Sequence, residues 1–337
     1  MMDLTTSYCG LTLKNPLVPS SSPLTRNLDS ARRLEDAGAS ALILPSLFEE
    51  ELICEQEHMH RFMDMQDIGH HEADSFLPVS HQYASQLDQV LEKISRFKSS
   101  LSIPVIASLN GVSDSGWIEH AKDLESAGCD AIELNLYGIN ADRHDSSDSV
   151  ERAYLSIVER MVQAIKVPCV VKLSNQVTGL GHFVSQLENA GVAGVSLFNR
   201  FYQPDIDLDT LRINPQLSLS DSGESLLRIR WLAMLRPQVR MTLAATGGFH
   251  RYEDVMKALL AGGDVVHLCS VLLQQGEHAI HHIISDMTQW MEKKEYESVQ
   301  QLKGSLSYQN AVNPNGYERA NYLDVLDSYT PNSGVHY

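Results

Sequence analysis

Lys172 closes the run Cys169-Val-Val-Lys-Leu, whose other members are apolar. A lysine that ends a buried strand directs its ammonium into the mouth of the sheet, where it can hold an anion or offset negative charge that develops during a reaction. A structural ion pair with Glu133 is the competing use of the same nitrogen. Other polar groups stand where apolar runs stop: Ser20, Ser21, Ser22, Ser46, Asn110, Asn135, Asn199, Thr246 with Gly247 and Gly248, and Cys269 with Ser270. Paired glycines let backbone N–H groups approach phosphate oxygens closely, and a helix N-terminus adds a favourable field. The lysine, the glycine pair and the Cys269-Ser270 turn together predict a pocket for a phosphorylated ligand.

The elements that must position these groups announce themselves as a repeat. Leu34-Glu-Asp-Ala-Gly38, Leu124-Glu-Ser-Ala-Gly128, Leu187-Glu-Asn-Ala-Gly191 and Ala258-Leu-Leu-Ala-Gly262 are each followed by a short apolar run. Each copy reads as the last turn of a helix, a glycine stop and a buried parallel strand. Four further runs, at Pro16, Pro104, Pro168 and Met241, fill the gaps. Eight strands are predicted, near 15–20, 41–45, 104–109, 131–136, 169–173, 194–198, 241–245 and 265–268. Right-handed crossovers repeated eight times close the sheet, so the expected fold is an α/β (β/α)8 TIM barrel rather than an open doubly wound sheet. The long connections 46–81, 137–149 and 199–223 all follow strand C-termini, the face on which such barrels build their sites.

The 337 residues are 43% hydrophobic and no Pro/Gly/Ser linker divides them, so one domain spans 1–337, ending in a polar, tyrosine-containing segment at 303–337. That segment packs on its own domain or on a neighbouring subunit. A formal charge of −17 argues against a nucleic-acid partner. Neither a signal peptide nor a membrane-length apolar stretch is recognised, which predicts a cytoplasmic protein with no membrane partner. The cysteines form no CxxC pair, so no iron–sulfur cluster is expected, and Cys129, Cys169 and Cys269, within or beside predicted strands, read as packing residues. His58, His60, His70 and His71 lack a spacing that fixes metal geometry, and His278, His281 and His282 fall at helical spacing on the last barrel helix. No metal is expected.

The ordered set Asn15-Pro-Leu-Val, Pro104-Val-Ile-Ala-Ser108, Ala127-Gly-Cys-Asp-Ala-Ile-Glu-Leu-Asn135, Asn140, Val170-Val-Lys-Leu, Ala190 to Asn199 and Thr246-Gly-Gly resembles the FMN-dependent dihydroorotate dehydrogenase family over most of residues 10–275. The start resembles the soluble class 1 enzymes. The resemblance implies FMN, with Lys172 beside the flavin ring, Asn135, Asn140 and Asn199 bonding the flavin or a planar substrate, and Ser20, Ser21, Ser22 and Ser46 on the cofactor side. It assigns Gly247, Gly248, Cys269 and Ser270 to the phosphate cradle. It also implies a homodimer acting on a small-molecule substrate. With no cluster-binding cysteines, the final electron acceptor is a soluble compound such as fumarate or a partner subunit.

Two positions depart from the family. Its loop after strand four reads Asn-x-Ser-Cys-Pro-Asn, or has serine for the cysteine in class 2, and that residue removes a proton from dihydroorotate. Here the text is Asn135-Leu-Tyr-Gly-Ile-Asn140, so Gly138 stands at the base position. The family's lysine after strand two is replaced by Pro45 and Ser46. Tyr137 is the favoured proton donor or acceptor, with His144 or Asp145 as substitutes. The leading expectation is hydride transfer between dihydroorotate, or a related dihydropyrimidine, and flavin N5 in pyrimidine biosynthesis. The alternatives are a flavin-free aldolase or isomerase that uses Lys172 as a Schiff base, and a noncatalytic FMN-binding protein. A transfer-RNA dihydrouridine synthase shares the barrel and FMN, but the acidic balance counts against it.

Overall fold

Each repeated glycine ends its helix in the left-handed conformation, with φ of +111° at Gly38, +98° at Gly128, +92° at Gly191 and +119° at Gly262. A side chain is strained in that conformation, which is why the repeat is legible at all. The structure, a computed structural model, describes residues 2–52, 54–55, 85–111, 116–136, 138–200, 203–214 and 216–328. His58, His60, His70, His71, Tyr137, Tyr329 and Tyr337 lie outside the described residues.

The chain opens with a hairpin of β1 (Thr6–Tyr8) and β2 (Leu11–Leu13). The barrel strands follow as β3 (Leu17–Pro19), β4 (Leu42–Ile43) with its short continuation β5 (Leu47–Phe48), β6 (Val105–Asn110), β7 (Ala131–Asn135), β8 (Cys169–Leu173) and β9 (Gly194–Leu197). A second hairpin, β10 (Asp205–Asp207) and β11 (Arg212–Asn214), precedes the last barrel strands, β12 (Thr242–Thr246) and β13 (Val265–Leu268). The parallel order is β3-β13-β12-β9-β8-β7-β6-β4. The ring nears closure where the Ser40 N–H, just ahead of β4, donates to the Leu17 carbonyl of β3 at 3.1 Å. Helices alternate with the strands, among them Ser147–Ala164, Leu180–Asn189, Ser225–Leu235 and Tyr252–Ala261. This is the (β/α)8 barrel expected, with each strand within a few residues of its expected place. The two hairpins were not anticipated, because three-residue strands leave no periodicity to read.

The repeat also carries polar bonds. The Glu35 carboxylate accepts the Ser102 backbone N–H at 2.8 Å, Glu125 accepts those of Lys166 and Val167 at 2.6 and 2.8 Å, and Glu188 accepts those of Arg240 and Met241 at 2.6 and 2.8 Å. Each glutamate thereby holds the backbone just ahead of a barrel strand. The fourth copy has Leu259 at that position, and there the Leu259 and Leu260 carbonyls accept the N–H groups of Gly304 and Leu306, both at 2.9 Å. The first part of the C-terminal segment thus docks on its own domain. Asp264 completes the joint by accepting from Leu243 N at 2.8 Å, Arg236 Nη1 at 3.0 Å and Lys303 Nζ at 2.7 Å.

Hairpin β1–β2 plugs the lower end of the barrel. Thr6 Oγ1 donates to the Asp264 carbonyl at 2.8 Å, and the Cys9 N–H donates to Thr242 Oγ1 at 2.9 Å. Cys129 and Cys169 are buried, and the helix His278–Lys293 begins at the first of the three clustered histidines. Among the described residues no helix is long and apolar enough to cross a membrane, and no group of metal-ligating side chains assembles.

Removing the Asp264 carboxylate leaves two partly buried cations without counter-charge. Asp264→Ala should therefore lower the unfolding free energy by about 3–5 kcal/mol. Glu188→Ala, which leaves two backbone N–H groups without an acceptor, should cost about 1–3 kcal/mol. Urea unfolding followed by circular dichroism ranks the two, and an Asp264 variant as stable as the Glu188 variant would contradict this account.

Candidate functional site

Side chains alternate across a strand, and the inner face of each barrel strand changes chemistry along the chain. Val18, Ile106, Ala131, Val170, Ala244 and Val265 pack together in the lower interior. Two residues further on, the same faces carry Ser20, Ser108, Glu133, Lys172, Thr246 and His267, all buried. Asn110 and Asn135 come two residues later again. The C-terminal mouth of the barrel is therefore polar by construction.

A cavity of about 630 Å³ opens there, a size suited to a small ligand or cofactor. Ser20, Ser21, Ser22, Ser46, Asn135, Lys172, Asn199, Gly247, Gly248, Cys269 and Ser270 all line it. Asn140 does not. It is exposed, and its Nδ2 donates to Tyr154 Oη at 3.3 Å on the helix Ser147–Ala164, outside the cavity wall. The same hydroxyl crowds Gly138, since a Cβ there would come within 2.5 Å of Tyr154 Oη unless the tyrosine shifted. His144 and Asp145 are exposed and line no part of the cavity.

Lys172 is placed for both of its expected uses. Its ammonium lines the cavity, and Nζ stands 3.6 Å from Glu133 Oε1. Beside it, Asn135 Nδ2 donates to Ser108 Oγ at 2.9 Å, to the Leu109 carbonyl at 3.1 Å and to Ser46 Oγ at 3.3 Å. Ser46 and Ser108 share a hydroxyl bond of 2.7 Å. The Asn135 amide nitrogen is thus committed to holding strand ends together, and its carbonyl oxygen is the atom left for a ligand. Ser22 is also in structural use, capping the short turn Pro23–Thr25 by accepting from the Leu24 N–H.

At the opposite side, Gly247 and Gly248 have φ of +90° and +89°. A Cβ on Gly248 would come within 2.4 Å of the Ser225 backbone nitrogen, and one on Gly247 within 2.9 Å of Arg228 Nη2. The glycines are required first by the protein's own packing, which draws the helix Ser225–Leu235 against the site. The Gly248 N–H donates to Ser220 Oγ at 3.3 Å, and Ser220 Oγ donates to Ser270 Oγ at 2.8 Å. The buried Arg228 donates from Nε to the Thr246 carbonyl at 3.0 Å and from Nη1 to the Glu224 carbonyl at 2.7 Å. Arg200 is steered by Glu224, 3.2 Å away, and by the Ser218 carbonyl.

Sequence reading missed Ser220, Arg228, Arg200 and His267. Ser220 sits in a long connection and Arg228 inside a helix, with no pattern to mark either. Arg200 directly follows Asn199, and His267 interrupts Val265-Val-His-Leu just as Lys172 interrupts its own run, so both carried a signal.

Lys172 and Arg200 are the charged side chains of the described cavity wall, which holds no aspartate or glutamate. His267 adds no charge, because burial, and then the positive field of Lys172, push its imidazole down to about 3. Burial raises the Cys269 thiol, against a smaller opposing effect of Lys172, so this cysteine is a neutral wall residue. Hydroxyls and glycine backbone at one side, with a lysine and amides at the other, form a set of polar groups that suits a phosphate-bearing ligand with a polar ring.

Residues 80–291, more than half of the chain, match the family described as dihydroorotate dehydrogenase. The catalytic subunit of dihydroorotate dehydrogenase B (NAD(+)) from Thermoplasma acidophilum is 26% identical over 312 aligned positions, covering 90% of this chain and 99% of that protein. Dihydroorotate dehydrogenase A (fumarate) from Lactobacillus helveticus is 26% identical over 231 positions, 66% of this chain and 74% of that protein. The NAD-dependent dihydropyrimidine dehydrogenase subunit PreA from Escherichia coli is 22% identical over 344 positions, 94% of this chain and 80% of that protein. With the matched segment supplying most of the barrel that forms the cavity, this chain belongs to the dihydroorotate dehydrogenase family and is an oxidoreductase of the kind that acts on CH–CH bonds.

Proposed function

We propose that the cavity binds FMN and that the chain moves hydride between a dihydropyrimidine-type substrate, dihydroorotate foremost, and the bound flavin. The observation that carries this reading is a cavity wall whose charged groups are both cations, in a chain of formal charge −17. Such a wall recognises anions. FMN supplies hydride exchange at its N5 position when bound.

Gly247, Gly248, Ser220 and Ser270 would hold the phosphate, and Lys172, Asn135 and Ser46 would line the ring. Lys172 offsets negative charge at the ring. Phe48, Phe198 and Phe249 in the wall exclude water on the apolar side. Arg200, ion-paired with Glu224 at 3.2 Å, is the cation that would turn to a substrate carboxylate such as that of dihydroorotate. Tyr137 is assigned the proton, as the ionisable residue beside Gly138 in sequence. The relatives include both NAD- and fumarate-linked enzymes, so the reading leaves the acceptor as either a soluble compound or a partner subunit. A homodimer belongs to the same reading. Hairpin β10–β11 exposes Ile206, Leu208, Leu211 and Ile213, an apolar surface that a second copy would cover.

The purified protein loaded with FMN and titrated anaerobically with dihydroorotate should lose its visible flavin absorbance. A bound flavin that stays oxidised moves the substrate elsewhere, and a protein that takes up no FMN ends the flavoenzyme reading. Lys172→Met should slow flavin reduction by about 10²–10³-fold, and Tyr137→Phe by about 10²–10⁴-fold. Stopped-flow absorbance reads both, and a Tyr137→Phe protein reduced at the wild-type rate removes the tyrosine from the reaction.

The dimer is tested separately. Ile206→Asp with Ile213→Asp should convert the protein to a monomer in sedimentation equilibrium, whereas a wild type that sediments as a monomer disposes of the dimer.

A further inference from the structure

Beneath the cavity, the alternate strands β4, β7, β9 and β13 contribute Ile43, Glu133, Ser196 and His267 to the inner wall. Bulky apolar residues normally fill such a layer. Here three of the four are polar, with exposures of 0% for Glu133, 0% for Ser196 and 1% for His267. Glu133 Oε1 lies 3.6 Å from Lys172 Nζ, Oε2 lies 3.9 Å from His267 Nδ1, and neither oxygen has a hydrogen-bond donor within reach.

A carboxylate taken this far from water needs a counter-charge. His267 does not supply it. Its imidazole is held neutral by burial and by the field of Lys172, and its Nδ1 shares a 3.2 Å bond with Ser196 Oγ. Tyr8 approaches from the plug below, with its ring edge-on to His267 at 5.8 Å and a buried hydroxyl that also lacks a partner. Burial, then Cys9 and Glu133, raise that phenol well above its ordinary range, so it too stays neutral. Among the described groups facing this layer, Lys172 is the cation. The field that reaches the cavity is therefore that of a buried pair and not of a lone ammonium.

We propose that Glu133 is a positioning residue that sets, through Lys172, the reduction potential of the flavin in the cavity, its carboxylate cancelling part of the lysine's field and holding the potential down. This rests on the FMN reading given above. Reduction places negative charge near the ring, and whatever weakens the positive field there disfavours the reduced form.

The test equilibrates the FMN-loaded, full-length protein with a redox dye under nitrogen. Glu133→Gln, which keeps the shape and removes the charge, should move the flavin–dye equilibrium at least tenfold toward reduced flavin, about 30 mV for a two-electron couple. His267→Gln exchanges one neutral group for another and should leave the equilibrium at the wild-type value. Because Glu133→Gln leaves Lys172 a buried cation with no counter-charge, the same change is also made on Lys172→Met. There it should leave the potential at that of Lys172→Met alone, because no lysine field remains for the carboxylate to cancel.

An unchanged equilibrium with Lys172 present overturns the proposal, and so does a shift of the same size on Lys172→Met, which would mean that Glu133 does not act through the lysine. So does a His267→Gln shift as large as that of Glu133→Gln, which would mark the effect as general repacking. A protein that takes up no flavin fails the functional reading instead, and reveals this as missing absorbance before any titration begins.

Discussion

A closed parallel sheet offers each strand residue two destinations, the helix-packed outside or the barrel axis, and the choice alternates with every residue. The structure depends on that constraint. Once Val170 faces the axis, Lys172 must as well, and the same step of two carries Ala131 to Glu133 and on to Asn135. A polar residue on an inner face therefore has no route to the surface. It finds a partner within the barrel, as Asn135 does with Ser46 and Ser108, or it faces the mouth, as Lys172 does.

The same constraint lets an acidic protein hold a cationic cavity. Glu35, Glu125 and Glu188 are spent on backbone N–H groups ahead of barrel strands, and Asp264 on Arg236, Lys303 and a strand amide. These carboxylates hold joints outside the cavity, so they do not meet the anion that Lys172 and Arg200 would bind. The fourth copy of the repeat has no glutamate, and there the Leu259 and Leu260 carbonyls bind the C-terminal segment through Gly304 and Leu306. The tail is thus part of the fastening of the barrel, whatever else it contacts.

The barrel was legible in the sequence because its two signals are local. A glycine with positive φ after a helix and an apolar run after the glycine need no tertiary information, and together they located four of the eight strands, the apolar runs at Pro16, Pro104, Pro168 and Met241 marking the other four. Most of the cavity wall was legible for the same reason, since a polar residue ending an apolar run must lie at a strand end. Ser220 and Arg228 were not. Their places depend on how the connection after β9 and the helix Ser225–Leu235 fold back on Gly248, a contact that exists only once the barrel has closed. Asn140 shows the reverse failure. Its type and order fit a substrate contact, but a tyrosine fourteen positions on in the chain holds it on the outer surface.

The departures from the family pattern divide unevenly along the same line. Most groups that would hold the flavin sit on strands or at their ends, where an inner-face residue is fixed by its neighbours on both sides, and there the chain keeps Lys172, Asn135 and the glycine pair, although Pro45 and Ser46 stand where the resemblance implies a lysine. The family's proton acceptor sits in the loop after β7, where backbone direction is not dictated by a ladder. There this chain has Gly138, with the Tyr154 hydroxyl close enough to oppose a larger side chain. On the proposed reading, then, hydride exchange depends on the barrel and proton exchange on a loop. A substitution at Gly138 leaves the strand-borne wall intact, so the proton step can be reassigned to another residue without rebuilding the cavity that holds the flavin.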